Sequence, residues 1–596
     1  MKTIHFLIFM SLFLNSGNAH LTNDYPFSTH LDSINNLYVT GNKYNLASNS
    51  IDILFEKYNS GGDRLIYELI LNSFGNDRGM DIITDNFGNS FITGFIYNNI
   101  YESNDIIALM FDPDGNLVWV KKFENPGDDK GFGIDIVSDI YGQATEIYIS
   151  GYSSNELSNK NFFVSRLNLL GDVVWQRELN LSDKYSIATD IFVDAGYVYV
   201  SGYSYQGPAY GDDITLVTLD KASGTIEQGD ILFHNIAGSN ERPTAFTLVN
   251  RSDNVLSKSR STVTSISDNF NQNNFPPTRF RTVFYNEDVN HNLSIRWEKE
   301  FYNRGLNDKN VPTALTVDKY ENVYVTGYTR SNIPANGLDF VTMVYKPDLG
   351  ELGWNGKPIY YNNDSIISPT YNDKASSIKI WRDGSIYVAG MSDASPYGYT
   401  VRNYKQETVN DPPIIKWTKT FKPNFDDGEN TPDTETQRWA SIEVDSEGQP
   451  ILIAMEWNGN NAQWKARKYD TDGNVIFTIG EEDNSDQNSN SKTNATSDLN
   501  RSDSDKDISK TQLLQNKPNP FNPSTEIFYN VSQNSFINIK VYNLLGQEVA
   551  ALVNEMKQPG KYQIRFDGSA LSSGMYFYKM FVNEIATDSK RMLLLK

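Results

Sequence analysis

Carboxylates are the reactive side chains this sequence supplies in greatest number, with 74 Asp and Glu against five His and no Cys. Two carboxylates flanking a glycosidic bond can act as acid and base or nucleophile, so hydrolase or lyase chemistry is open to such a chain. No single pair is marked out, because most Asp fall in turn sequences such as Asp112-Pro113-Asp114-Gly115-Asn116 and Asp470-Thr471-Asp472-Gly473-Asn474. Asp and Pro start tight turns and Gly takes the positive φ they need. A calcium loop needs more oxygen ligands and a distal Glu, so these read as turns. His20, His30, His234 and His291 are scattered without metal spacing, and His30 reads as structural on a first strand. His-Glu-x-x-His, Gly-x-Ser-x-Gly and phosphate-loop frames are absent. Lacking Cys, the chain has neither disulfides nor thiol catalysis. The sequence therefore assigns no catalytic, cofactor-binding or metal residue and calls for no cofactor.

The elements that would position any site are strands. The chain has 35 Tyr and 32 Phe, types suited to a pleated, half-buried surface, and 40 Gly and 22 Pro between apolar runs. The net charge of −22 repels nucleic acid. Residues 1–19 read as a signal peptide: Lys2, an apolar run from Phe6 to Leu14, and Gly17-Asn18-Ala19 before cleavage. Elsewhere no stretch approaches the ~20 apolar residues of a spanning helix.

A phrase recurs through residues 20–480: Tyr38-Val-Thr-Gly41, Phe91-Ile-Thr-Gly94, Tyr148-Ile-Ser-Gly151, Tyr199-Val-Ser-Gly202, Tyr324-Val-Thr-Gly327 and Tyr387-Val-Ala-Gly390. Its glycines are 53, 57, 51, 125 and 63 apart, so one copy is missing from the doubled gap, with Asn254 to Ser257 near the expected place. A weak copy is Leu452 to Met455. A second series, Tyr67, Trp119, Trp175, Phe233, Trp297, Trp354, Trp417 and Phe477, has spacings of 52 to 64 and no doubled gap. Four short alternating strands in a period of ~50–65 make a propeller blade. The expectation is an all-β fold, a seven- or eight-bladed β-propeller plus a small C-terminal β-sandwich. The count stays open because Lys258 to Pro277 is polar and shows no clear second strand. The first unit is complete from Phe27 onward, so the ring is expected to close without an exchanged strand, leaving the seam its weakest point.

The phrases Tyr-Val-Thr-Gly-Tyr, Asp-Phe-Val-Thr and Asp-Pro-Asp-Gly-Asn-Leu-Val-Trp resemble a bacterial family of β-propeller repeats abundant in secreted proteins. The resemblance spans about residues 27–480 and implies a scaffold without a particular reaction. A binding or surface-interaction role follows as the first expectation, with a glycan or protein as ligand. Trp354, Trp381, Trp439 and Trp457 are candidates for stacking on it, core packing being the competing role. A secreted hydrolase or lyase with carboxylates near the channel is the alternative.

Residues 481–511 are rich in Asn, Ser and Asp and read as a disordered linker. Strand patterns resume over 512–596, from the extended Pro518-Asn-Pro-Phe-Asn-Pro523 to the basic, apolar Lys590 to Lys596. The Asn-Pro-Phe-Asn-Pro opening, Val541-Tyr-Asn-Leu-Leu-Gly-Gln-Glu-Val549 and the entry from Leu571 to Tyr578 resemble a type A C-terminal sorting domain of type IX secretion. That resemblance implies passage through the periplasm and across the outer membrane by dedicated machinery. The product is then secreted or attached to the outer cell surface. On the same grounds the recognition residues are expected to be Pro520, Phe521, Asn522, Pro523, Gly546, Gly574, Tyr576, Lys590, Arg591 and Lys596.

Overall fold

The computed structural model describes residues 22–594 apart from 46–49, 71–74, 155–158, 227–229, 235–238, 250–259, 270–277, 288–292, 302–309, 331–336, 362–371, 393–397, 422–436, 458–460, 480–511, 515, 517–522, 543–547, 572–573 and 583–584. The signal segment 1–19, the phrase at 254–257 and the linker thus lie outside the described residues. The chain divides into two compact units, residues 1–484 and 485–596.

The first unit consists of eight four-stranded antiparallel sheets in sequence order. Blade 1 is Thr22–Leu31, Leu37–Asn45, Ser50–Tyr58 and Arg64–Ile70; blade 2 is Arg78–Thr84, Ser90–Asn98, Ser103–Phe111 and Leu117–Phe123. Blades 3 to 8 occupy 130–179, 186–234, 239–301, 310–361, 373–421 and 437–479. Each blade runs strand to neighbouring strand. Links between strands 1 and 2 and between 3 and 4 therefore fall on one face, the turn face. Links between strands 2 and 3 and between blades fall on the opposite, connector face.

The strand pairing bears on both open points of the sequence reading. Within the polar stretch 258–277, Arg260–Asn269 pairs with both Ser239–Val249 and Arg279–Glu287 as the second strand of blade 5. The stretch lacked the apolar phrase with its Gly, yet Thr262, Val263, Thr264 and Ile266 supply the β-branched backbone preference a strand needs. Blades 1 and 8 are each continuous, and among the described residues no strand is exchanged between them. The ring closes by short parallel pairing of Thr22 with Asn461 and Asn23 with Ala462. Similar parallel bridges occur at Ile51–Asn76 and Lys160–Tyr185, so the seam reuses an ordinary inter-blade contact.

The cores lie between blades. One packs Ile83, Phe91 and Ile106 of blade 2 on Ile134, Ile149 and Leu167 of blade 3. Across the seam, Leu37, Val39 and Tyr58 meet Ile451, Ile453 and Ile479. The recurrent Gly explains itself in this geometry. Seven of the eight first strands carry a β-bulge at one equivalent position, as between Gly79 and Asp81 and between Pro312 and Ala314. The bulge turns a carbonyl onto the second strand, so a Cβ at Gly94 would run into the Arg78 oxygen, and one at Gly327 into the Val311 oxygen.

The second unit has a three-stranded sheet, containing Gln512–Leu513, Ser524–Val531 and Gly560–Asp567, and a four-stranded one, containing Ser535–Tyr542, Glu548–Lys557, Gly574–Val582 and Ile585–Leu594. Ile527, Tyr529 and Val531 of the first share one core with Ile537, Ile539, Tyr578, Met580 and Met592 of the second.

Candidate functional site

On the turn face the acids serve the turns. Asp112 Oδ1 accepts the amides of Asp114 and Asn116, and its Oδ2 accepts Asn116 Nδ2. Asp470 repeats this with Asp472 and Asn474, and Asp85 with Phe87 and Asn89. Gly115 and Gly473 take φ of 85° and 83°. These carboxylates are engaged by their own loops, which is turn chemistry.

The recurrent aromatics form latches between blades. The indole N–H of Trp119, Trp175, Trp297 and Trp417 donates to Leu169, Lys221, Pro347 and Thr471 carbonyls in the next blade, at 2.9–3.0 Å. Each ring lies under the positive-φ Gly of that turn: Gly171, Gly224, Gly350 and Gly473. Phe477 of blade 8 lies likewise under Gly62 of blade 1 and carries the series across the seam. Trp354 departs from the pattern. It sits in a single 3-10 turn, Trp354–Gly356, buried, with Nε1 donating to Gln406 Oε1 at 2.7 Å. It is thus a core residue and cannot stack on a rim ligand. Trp381 packs beneath Gly448 with Arg382 over its ring. The side chains of Trp439 and Trp457 lie outside the described residues.

The connector face holds a second, buried acid series that sequence reading missed. Two residues before the bulge stand Asp77, Asp129, Glu241 and Asp373, with Ser186 and Asn310 at the same position in other blades. Third strands begin with buried Asp52, Asp105, Asp213 and Asp339. The two positions meet at the joint between blades: the Asp77 amide donates to the Ile51 carbonyl at 2.8 Å, and the Asp129 amide to Asn104 at 2.7 Å. A signal existed in the repeated Asp-Arg-Gly, Asp-Lys-Gly and Asp-Lys-Ala starts at Asp77, Asp129 and Asp373. At the blade 2–3 joint, burial pushes the Asp129 carboxyl up to about 7 and also raises that of Asp105.

The blade 4–5 joint is built differently. Arg281 pairs with Glu298 and Glu300 and lies 3.6 Å from Glu241, while His234 Nε2 is 3.3 Å from Glu298. Burial lowers the His234 pKa. His30 lies on a first strand, as expected, with Nδ1 2.8 Å from Thr84 Oγ1. The described residues contain no group of three or more His, Cys, Asp or Glu able to hold a metal.

Exposed apolar side chains fall mainly on the outer fourth strands, such as Val118, Val174, Ile414 and Ile476, and also at turn tips such as Ile34, Ile140, Tyr141, Leu170, Tyr320 and Leu349, Ile140 being 91 % exposed.

Of the expected recognition residues in the C-terminal unit, Pro520, Phe521, Asn522, Gly546 and Lys596 lie outside the described residues. Pro523 is exposed just before Ser524–Val531, and Gly574 opens its strand. Tyr576 is buried in the core, while Lys590 and Arg591 lie on the final strand opposite Tyr578 and Phe577. Tyr578 pins the opening segment to that hairpin: its hydroxyl donates to the Leu514 carbonyl at 2.9 Å and accepts the Asn516 amide at 2.8 Å.

Together these features define a closed β-propeller followed by a separate two-sheet module. Residues 518–594 match the secretion system C-terminal sorting domain, and residues 305–334 match a β-propeller repeat. The chain is thus an exported propeller protein with a type IX sorting tail, delivered to the cell surface or secreted, and the tail implies interaction with the secretion machinery. No curated protein matches the chain. Among solved structures it is similar to a Synechocystis apocarotenoid oxygenase mutant (8 % identity, TM-score 0.36, 68 % of this chain and 95 % of that one). It is also similar to a putative 6-phosphogluconolactonase from Bacteroides uniformis (12 %, 0.33, 65 % and 93 %). A third likeness is the β-propeller domain of the Trilobed protease from Pyrococcus furiosus (10 %, 0.31, 65 % and 92 %), which is described as having an open velcro topology. Likenesses this distant carry no argument about activity. No helix among the described residues is long and apolar enough to cross a membrane.

Proposed function

We propose that the propeller is a binding scaffold that works outside the cell, its ligand a glycan or a protein. The observation that supports this is the distribution of acids. Asp112 and Asp470 on the turn face are taken by their own loops, and Asp348 by Arg296 of the neighbouring blade. Buried ones recur at equivalent positions in successive joints. A catalytic pair would be a local departure from such a repeat, and the departure described above, Glu298 and Glu300 at the blade 4–5 joint, is tied up by Arg281. Exposed Tyr141 and Tyr320 offer the amphipathic rings that contacts with sugars and proteins use. The signal segment 1–19 takes the chain to the periplasm, the linker 481–511 leaves the junction open to a protease, and the sorting module presents Lys590 and Arg591 on its final strand.

The test is the full chain on glycan arrays and in protein capture, alongside a panel of glycoside hydrolase and lyase substrates. Saturable binding without turnover is expected. Turnover that is lost when one buried acid is replaced would return the carboxylate enzyme to first place.

A further inference from the structure

We propose that the joint between blades 2 and 3 is a proton-operated clasp, in which the buried neighbours Asp105 and Asp129 together hold one proton whose loss loosens that joint. This does not depend on the ligand-binding reading.

The geometry comes first. Asp105 lies in the third strand of blade 2, Ser103–Phe111, near its start, and Asp129 stands immediately before the first strand of blade 3, Lys130–Ser138. The Asp129 amide donates to the Asn104 carbonyl at 2.7 Å, which sets the two residues side by side across the joint. Both are at most 1 % exposed. Asp105 Oδ2 accepts Asn98 Nδ2 at 2.6 Å, and Asp129 Oδ1 accepts the Ser154 amide at 2.6 Å. The Asn125 amide acts on Asp105, and the Asn125 and Ser153 side chains on Asp129, each favouring the charged form, but burial outweighs them, and Asp105 Oδ1 and Asp129 Oδ2 are buried with no hydrogen bond of good geometry. Two adjacent carboxylates with spare buried oxygens cannot both ionise cheaply, and a single proton relieves the pair.

The surrounding charges do not neutralise it. Lys130 adjoins Asp129 in sequence, but its Nζ lies 3.5 Å from Asp128 Oδ2 and over the Phe95 ring. Asp128 further accepts Tyr152 OH at 2.6 Å and Asn104 Nδ2 at 2.5 Å, and is thereby held below the usual carboxylate range despite its burial. Lys160 lies over the Tyr152 ring, and Arg78 acts on Lys130 from blade 2. From the blade 2 outer strand and its end, Lys122 and Glu124 act on Asp105 with opposite signs. Asp128 therefore claims the cation, and the Asp105–Asp129 pair keeps the proton. Burial is the largest influence on both members, and for Asp129 it carries the carboxyl to about 7.

The direction follows. An acid whose folded pKa stands above its unfolded value stabilises the fold most in acid. That stability falls as pH rises from the unfolded value near 3.8 through about 7. Alkalinisation thus weakens the blade 2–3 joint, whereas an uncharged amide at position 129 is blind to it.

The experiment is hydrogen exchange and urea unfolding of the full chain from pH 5 to pH 8.5, corrected for intrinsic exchange, on the native chain, Asp129→Asn and Asp105→Asn. In the native chain amides of 98–111 and 130–154 should open about tenfold more at pH 8.5 than at pH 5.5. Either substitution should remove that rise, so one variant suffices if the other misfolds. Equal pH profiles in native and substituted chains would overturn the clasp. So would calcium restoring protection at pH 8.5, because the pair would then be a cation site.

Discussion

At the level of single residues, backbone proximity sets the heaviest constraints. The second-strand glycines are fixed by a carbonyl that the neighbouring bulge pushes towards them. Gly327→Ala should therefore destabilise the propeller by about 2 kcal/mol or more, read as a lower urea midpoint. A Gly of the turn face that meets nothing, such as Gly356, should respond through its φ of 75° alone, so a substitution there reports backbone strain without collision. His234 gives a pH dependence opposite to that of the clasp. Burial lowers its pKa, so its neutral form is favoured in the fold. The stability it lends is present above the unfolded value near 6.5 and is lost as pH falls below it. His234→Gln should flatten the acid side of the stability profile between pH 7 and pH 5, measured by denaturant titration.

At the level of elements, the fourth strands do more than finish each blade. Their aromatics reach under the next blade's turn, so each is a contact between repeats. Trp417→Ala should cost about 1–2 kcal/mol, mostly from the lost packing of a half-buried ring under Gly473, because the exposed Thr471 carbonyl can turn to water. The seam latch differs because the blades it joins are not consecutive. Phe477→Ala should raise hydrogen exchange in Ser50–Tyr58 and Asn461–Tyr469 more than in blades 3 and 4. Strand positions and this aromatic series could be read from the sequence because alternation and fixed spacing are local properties. Two things could not. The second strand of blade 5 is written in Thr, Ser and Val, whose β preference is visible only once neighbours supply the hydrogen bonds. The buried acid series is also non-local: Asp105 and Asp129 lie in different repeats, and their closeness exists only after blades stack. Trp354 shows the converse, a correctly spaced aromatic that local backbone geometry, not register, turned inward.

At the level of the whole molecule, the two units divide the labour. The propeller supplies surface, and the sorting module supplies an address. Removing 512–596 should leave a folded propeller, judged by an unchanged urea transition of that unit, while abolishing its appearance outside the cell. Shortening only the strand Ile585–Leu594, at Lys590, should have the same effect on export with less loss of the module's core, since among the described residues Met592 and Leu594 are the members of that core it removes.

Ring closure has a consequence in time. Blade 1 is made first, yet its last neighbour is built from residues 437–479, and Gly62 has nothing above Phe477 to rest on until then. A ribosome adding residues in order leaves the leading blade with an open flank for most of synthesis. The strand bearing Lys590 and Arg591 comes after all eight blades in the chain. The label for departure can thus be read only on a chain whose cargo already has every part it needs to shut.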